Sequence, residues 1–149
     1  LNEIDYMRLA YEEAKQALET GEVPIGAVIV HNNEVISRAH NQRETKQSPL
    51  AHAEILAIES AAKKLGTWRL DGCDLYVTLE PCPMCAGAII QSRIKRLIYG
   101  ALDYKNGAHL SVTNMFNKNF THKVEVVGGI LESENERLLK SFFSTLRTR

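Results

Sequence analysis

A chain of 149 residues with 18 basic and 18 acidic side chains and three cysteines is long enough to build a core without disulfides, and one domain spanning 1–149 is expected. It has no apolar run of about 18 residues, and an opening that holds Glu3, Asp5, Glu12 and Glu13 is unlike a basic, then apolar, signal peptide. That excludes a transmembrane helix and predicts a soluble, cytoplasmic chain with no membrane partner. Leu1 stands where an initiator methionine would, and a few missing leading residues are not expected to touch the chemistry.

A formal net charge of zero argues against a nucleic-acid partner, because phosphate binding draws on excess Lys and Arg. The charge is segregated, however. Residues 1–22 carry six acids against Arg8 and Lys15, whereas residues 91–123 carry Arg93, Lys95, Arg96, Lys105, Lys118 and Lys123 against Asp103 alone. A polyanion partner stays open on that ground, beside an ordinary solvated surface.

In chain order, Met7, Ala10, Tyr11, Ala14, Ala17 and Leu18 form one helical stripe that starts near the cap residue Asn2 and stops at Gly21. Residues 25–30 and 35–40 flank Asn32-Asn33 as a β-hairpin, with Pro24 at a strand start. A polar stretch from Gln42 to Pro49 precedes a helix in which Ile55, Ile58, Ala62 and Leu65 share a face and Gly66 ends the element. After an Asp71-Gly72 turn, residues 74–79 read as a strand. The apolar segment 86–90 reads as a buried helix.

Residues 96–100 and 124–127 are two further strands. The intervening stretch of over twenty residues is too long for an idle connection and predicts a short helix or a functional loop. The last helix is expected to open on a capping box, Ser133 with Glu136, and to present Leu139, Phe142, Phe143 and Leu146 on one stripe. Together these elements predict an α/β fold, a three-layer α/β/α sandwich around a central mixed five-stranded sheet.

The chemistry concentrates at His52, Glu54, Cys82 and Cys85. A catalytic zinc ion takes three protein ligands and keeps a fourth position open, and His52, Cys82 and Cys85 supply three. Cysteines three apart at a helix start can aim both sulfurs at one ion, and the helix N-terminus favours thiolate over thiol. Pro83 suits the first helical turn. Glu54, two residues after His52, cannot share its face deep in a helix, but at a helix opening it can reach the reacting water and move protons.

Plainer readings stand beside this one. A lone histidine near a helix start is usually a cap or surface residue, and a lone Cys-x-x-Cys is redox-active or half of a structural zinc knuckle. Structural zinc needs a fourth ligand. With His31 in the hairpin turn, His40, His109 and His122 are the remaining histidines, and none forms a second half-site. Cys73 reads as a small buried hydrophobe.

His52-Ala53-Glu54 followed by Pro81-Cys82-Pro83-Met84-Cys85 resembles the H-x-E, P-C-x-x-C signature of the cytidine and nucleoside deaminase superfamily, a family the zinc deaminase chemistry of nucleobases describes in general. Residues 21–27, 41–44, 68–70, 78–81, Arg93-Ile94 and the closing Phe142-Phe143 to Leu146-Arg147 are similar to the bacterial tRNA-specific adenosine deaminases, over nearly the whole chain. The resemblance implies a hydrolase with one Zn²⁺ per subunit, held by His52, Cys82 and Cys85, with Glu54 catalytic. It implies conversion of adenosine to inosine at the wobble position of a tRNA anticodon, by a homodimer whose RNA site draws on both subunits.

By the same resemblance Asn41 and the Ala53 backbone read the base edge, Ile25 and Val28 wall the pocket, and Asp103 and Lys105 lie in the loop that contacts the anticodon. Unaided, Asn41 is a turn residue, Ile25 and Val28 strand core, and Asp103 and Lys105 surface charges. Ala108-His109-Leu110-Ser111-Val112 departs from the family's usual small residues and Gly-Ser-Leu. Arg147 and Arg149 make only a modest basic tail. A free-base or nucleotide deaminase acting on guanine, cytosine or deoxycytidylate shares the metal signature and remains the main alternative; a structural-zinc binding module is the second.

Overall fold

The computed structural model describes residues 1–147, with Arg147 described by its backbone alone, so Arg149 of the basic tail and the Arg147 side chain lie outside the described residues. The elements are α1 (Glu3–Glu19), β1 (Gly26–His31), β2 (Glu34–His40), α2 (Arg43–Lys46), α3 (Ala53–Leu65), β3 (Cys73–Leu79), α4 (Pro83–Gln91), β4 (Arg96–Ala101), β5 (Glu125–Val127) and α5 (Glu132–Arg147). The strands form one sheet in the order β2-β1-β3-β4-β5. β1 pairs antiparallel with β2 and β3, whereas β3–β4 and β4–β5 are parallel. A parallel pair needs a crossover between its strands, and α4 supplies it for β3 and β4.

The alternation of side chains along each strand divides the core into two. Ala27, Ile29, Leu75, Val77, Leu97 and Tyr99 face one way, into a cluster with Ala53, Ala57 and Ala61 of α3 and Ile89 and Ile90 of α4. Val28, Val30, Tyr76 and Ile98 face the other way, onto Tyr6, Met7 and Ala10 of α1. The result is the expected α/β/α sandwich.

Local chemistry accounts for the element ends. Asn2 caps α1 by accepting from the Asp5 N–H, and the Asp5 carboxylate accepts from the Asn2 N–H. Asn32 and Asn33 both adopt positive φ, 51° and 62°, as a tight hairpin turn between twisted strands demands. Gly66 closes α3 at φ 72°. At Gly26 a side chain would collide with the Ala10 carbonyl and come 2.5 Å from the Ala14 nitrogen, so glycine is what lets α1 lie directly on β1.

Four expectations are corrected. The polar stretch after Asn41 contains a four-residue helix, α2, closed by Gln47 at φ 49°. On α3 the residues buried deepest are the small Ala53, Ala57 and Ala61, while Ile58, Ala62 and Leu65 pack at the margin and Ile55 stays half-exposed; the alanine face, spaced by four, is the one that packs into the core with the sheet residues Ala27, Ile29 and Ile36. α4 buries Cys85, Ala86, Ile89 and Ile90 but leaves Met84, Gly87 and Ala88 half-exposed, so it is not buried all round.

The fourth correction is at α5. Leu131, at φ 54°, accepts from the Asn135 N–H at 3.1 Å, which starts the helix at Glu132 and puts Ser133 inside it rather than at its cap. Of the expected stripe Phe142 is buried, whereas Phe143 and Leu146 are each 44% exposed. Between β4 and β5 the chain forms turns with no helix or strand among residues 102–124, so the expected short helix is absent there.

Candidate active site

Two helix openings meet here. His52 is the N-cap of α3 and Cys82 the N-cap of α4, both extended in backbone and neither using its side chain to cap. Their side chains are therefore free to point away from their own helices. Pro83 occupies the first turn of α4, where its missing N–H costs no hydrogen bond. Cys85 follows one turn into the helix and is fully buried.

These placements bring the Cys82 and Cys85 sulfurs to 3.7 and 3.5 Å from Nδ1 of His52. The three ligand atoms lie within 4.8 Å of one another. A tetrahedral zinc with Zn–S near 2.3 Å and Zn–N near 2.0 Å separates a sulfur and a nitrogen ligand by about 3.5 Å, so the donor set fits zinc in both chemistry and spacing. Among the described residues no other histidine, cysteine or carboxylate joins this cluster.

The electrostatics favour a bound cation. The hydrogen bond from the Cys85 thiol holds Cys82 down to about 4 against burial that opposes it. Cys85, as donor of that bond, is pushed up. The Cys82 sulfur beside the His52 ring raises the imidazole above its ordinary value. Thiolate is the ligand form of cysteine, and the downward shift at Cys82 favours it.

Glu54 sits in the first turn of α3, 4% exposed. Burial raises its carboxyl to about 7, against a partial offset from hydrogen bonding. A carboxyl poised near neutrality both takes and gives protons at physiological pH.

The remaining predicted residues are distributed as follows. Asn41 is 6% exposed; its amide donates to the Val23 carbonyl at 3.3 Å and its oxygen accepts from the Arg43 N–H at 3.2 Å. Ala53 opens α3, next to His52, and Ile25 is partly buried against the α3 and α4 cluster. Val28 is not brought to the site. It is fully buried on the opposite face of the sheet, beneath α1, so its expected place in the pocket wall is corrected. Asp103 accepts from the N–H groups of Lys105 and Asn106, shaping its own turn, while Lys105 is exposed.

The other histidines are engaged elsewhere. His40 meets Glu13 at 3.0 Å, His109 meets the Tyr99 hydroxyl at 2.8 Å, and His122 meets the Ile94 carbonyl at 2.7 Å. His31 ends β1. Cys73 is fully buried, and burial pushes its thiol up to about 11, as suits an inert core residue.

Sequence reasoning missed two buried carboxylates, each 1% exposed. Glu22 accepts from the N–H groups of Glu44 and Thr45 and from the Thr45 hydroxyl, tying α2 to the segment before β1. Glu80 accepts from a loop after β4. A charged residue between elements, Glu22 after α1 and Glu80 just past β3, resembles a surface residue in sequence; the only signal was that each stands among residues otherwise read as parts of motifs.

The chain is similar to known proteins over nearly its whole length. A family model described as MafB19-like deaminase matches residues 1–147. The chain is 54% identical over 145 residues to the tRNA-specific adenosine deaminase of Bacillus subtilis (strain 168), covering 97% of this chain and 90% of that protein. It is 48% identical over 143 residues to that of Aquifex aeolicus (strain VF5), covering 95% and 94%. The chain belongs to the tRNA-specific adenosine deaminase family.

As a tRNA-specific adenosine deaminase family member it also superposes on a solved structure from biochemical and structural studies of A-to-I editing by tRNA:A34 deaminases at the wobble position. That match has a TM-score of 0.88 and 47% identity, and covers 90% of this chain and 98% of the other. The guanine deaminase of Bacillus subtilis matches less completely, at 40% identity and a TM-score of 0.66, over 68% of this chain and 66% of the other. No helix among the described residues of this family member is long and apolar enough to cross a membrane.

Proposed function

We propose that this family member hydrolyses adenosine to inosine at the wobble position of a tRNA anticodon, with one zinc ion per subunit. The observation that carries the reading is the convergence of His52, Cys82 and Cys85 on one point beside the buried Glu54. Relatives of nearly equal length that are named tRNA-specific adenosine deaminases support it.

His52, Cys82 and Cys85 would hold the ion, which when bound supplies the Lewis acidity that makes water nucleophilic near neutral pH. Glu54 takes a proton from the attacking water, passes it to a ring nitrogen of the base, and moves the second proton to the departing amine. A C–O bond forms at the carbon that carries the amine, the C–N bond breaks, and ammonia leaves. The near-neutral Glu54 carboxyl matches that two-way traffic. Asn41 and the Ala53 backbone would orient the base edge, with Ile25 as an apolar wall.

The substrate side draws on the loop that bears Asp103 and Lys105 and on the basic excess of residues 91–123, as RNA binding requires. A homodimer is supported by the apolar surface that α3 and α4 leave half-exposed at Ile55, Met84, Gly87 and Ala88, and light scattering at twice the chain mass tests it. A cytoplasmic setting suits three free thiols.

The test is inosine formation by purified zinc-loaded protein on a panel of anticodon stem-loops, beside guanine, cytosine, cytidine and deoxycytidylate. Turnover is expected on a stem-loop with adenosine at the wobble position and hardly at all on the small substrates. Guanine turnover that matches or exceeds the stem-loop would favour the relationship to guanine deaminase instead.

A further inference from the structure

The segment from Asp103 to Ser111 is wrapped around one buried carboxylate. Oε1 of Glu80 accepts from the Asp103 N–H at 3.0 Å and from the Ser111 hydroxyl at 2.5 Å. Oε2 accepts from the N–H groups of His109, Leu110 and Ser111 at 2.9, 2.8 and 3.1 Å. A carboxylate offers about four lone-pair positions, so these donors saturate it. No cation forms an ion pair with it among the described residues. The loop is a nest of backbone dipoles closed on a charge from its own chain.

The same carboxylate leaves no space above it. A side chain at Gly107 would run into the Glu80 carboxyl group. The Ala108 N–H donates to the Pro81 carbonyl at 2.8 Å, and the Glu80 N–H donates to the Ala101 carbonyl at 2.8 Å. The loop is thus fastened to the short segment that runs from Glu80 through Pro81 to Cys82. Glu80 itself is not among the ligand atoms that converge at His52, so metal binding does not account for it.

We propose that Glu80 is a positioning residue for the RNA: it sets the shape of the 103–111 loop that presents Asp103 and Lys105, and it fixes that loop in register with Cys82. The inference rests on the reading of this protein as an anticodon deaminase. Recognition of the stem-loop and chemistry at the base then share one rigid frame. Because the loop touches the RNA and not the reacting atoms, loosening it weakens substrate binding and spares the chemical step.

Replacing Glu80 by glutamine tests the charge at constant shape. The amide nitrogen must face one group of donors. Only the Ser111 hydroxyl can rotate to accept from it, so the Asp103 end of the loop is released. For Glu80→Gln the KM on the stem-loop is expected to rise about tenfold with kcat within about threefold and zinc content unchanged. Ser111→Ala, at a half-exposed position that does not endanger folding, is expected to raise KM about threefold. Ser111→Thr, which restores the hydroxyl, should return it to the wild-type value.

An unchanged KM in folded Glu80→Gln, a loss confined to kcat, or a Ser111→Thr variant as weak as Ser111→Ala would overturn the proposal. If Glu80→Gln does not fold, the Ser111 pair alone decides. A wild-type protein inactive on every stem-loop would instead sink the functional reading, so the two failures are distinguishable.

Discussion

The Cys85 sulfur stands 3.5 Å from Nδ1 of His52 across 33 residues of sequence. Neither group gains from that approach as a hydrogen bond alone, since thiols are weak donors; with the Cys82 sulfur at 3.7 Å the arrangement has the shape of a metal site. Cys85→Ala is expected to lower bound zinc from about one ion per chain to a small fraction, abolish deamination and lower the melting temperature. Metal analysis by inductively coupled plasma on the purified variant checks it, and full zinc occupancy would count against the ligand assignment.

Glu22 gives the fold a pH dependence that can be separated from the metal site. Burial pushes its carboxyl up, but hydrogen bonds from the Thr45 hydroxyl and the N–H groups of Thr45 and Glu44, with Arg43 nearby, outweigh burial and hold it below its ordinary 4.5. A depressed carboxyl stabilises the fold above its unfolded value, and that stability is lost as pH falls through the folded value. Glu22→Gln should therefore be less stable than wild type by about 1–3 kcal/mol at pH 7, with the gap narrowing below pH 4.5. Urea denaturation of both proteins across that range tests it; a gap that widens on acidification would show the sign to be wrong.

Lys105 is exposed on the loop that Glu80 holds. If it contacts a phosphate, Lys105→Ala weakens stem-loop binding similarly across sequences and reduces the slope of log affinity against log salt by about one. Fluorescence anisotropy from 50 to about 300 mM salt reads both effects. An affinity indifferent to salt in the wild type would remove RNA contacts from this face.

Much of this was legible because the signals were local. Asn2 with Asp5 marks a helix start, Asn32-Asn33 a hairpin, and His52 and Cys82 mark helix openings whose chemistry requires the two to meet. What was illegible depended on distance. The burial of Glu22 and Glu80 follows from donors 22 to 31 residues away, which no window along the chain reveals. Likewise the start of α5 depends on the positive φ of Leu131, which overrides the capping pattern at Ser133. Val28 is instructive in another way. Side chains three apart in an extended segment point to opposite faces, so Ile25 and Val28 cannot share a wall, and strand parity alone carries that information.

The most direct test is Glu54→Ala, assayed for zinc content and for inosine formed on an anticodon stem-loop beside wild type. The buried carboxyl near 7 is assigned the proton transfers and lies outside the three ligand atoms. The variant should keep its zinc and its fold and lose inosine formation by about two to four orders of magnitude. A zinc-loaded, folded variant that deaminates at the wild-type rate would contradict the account.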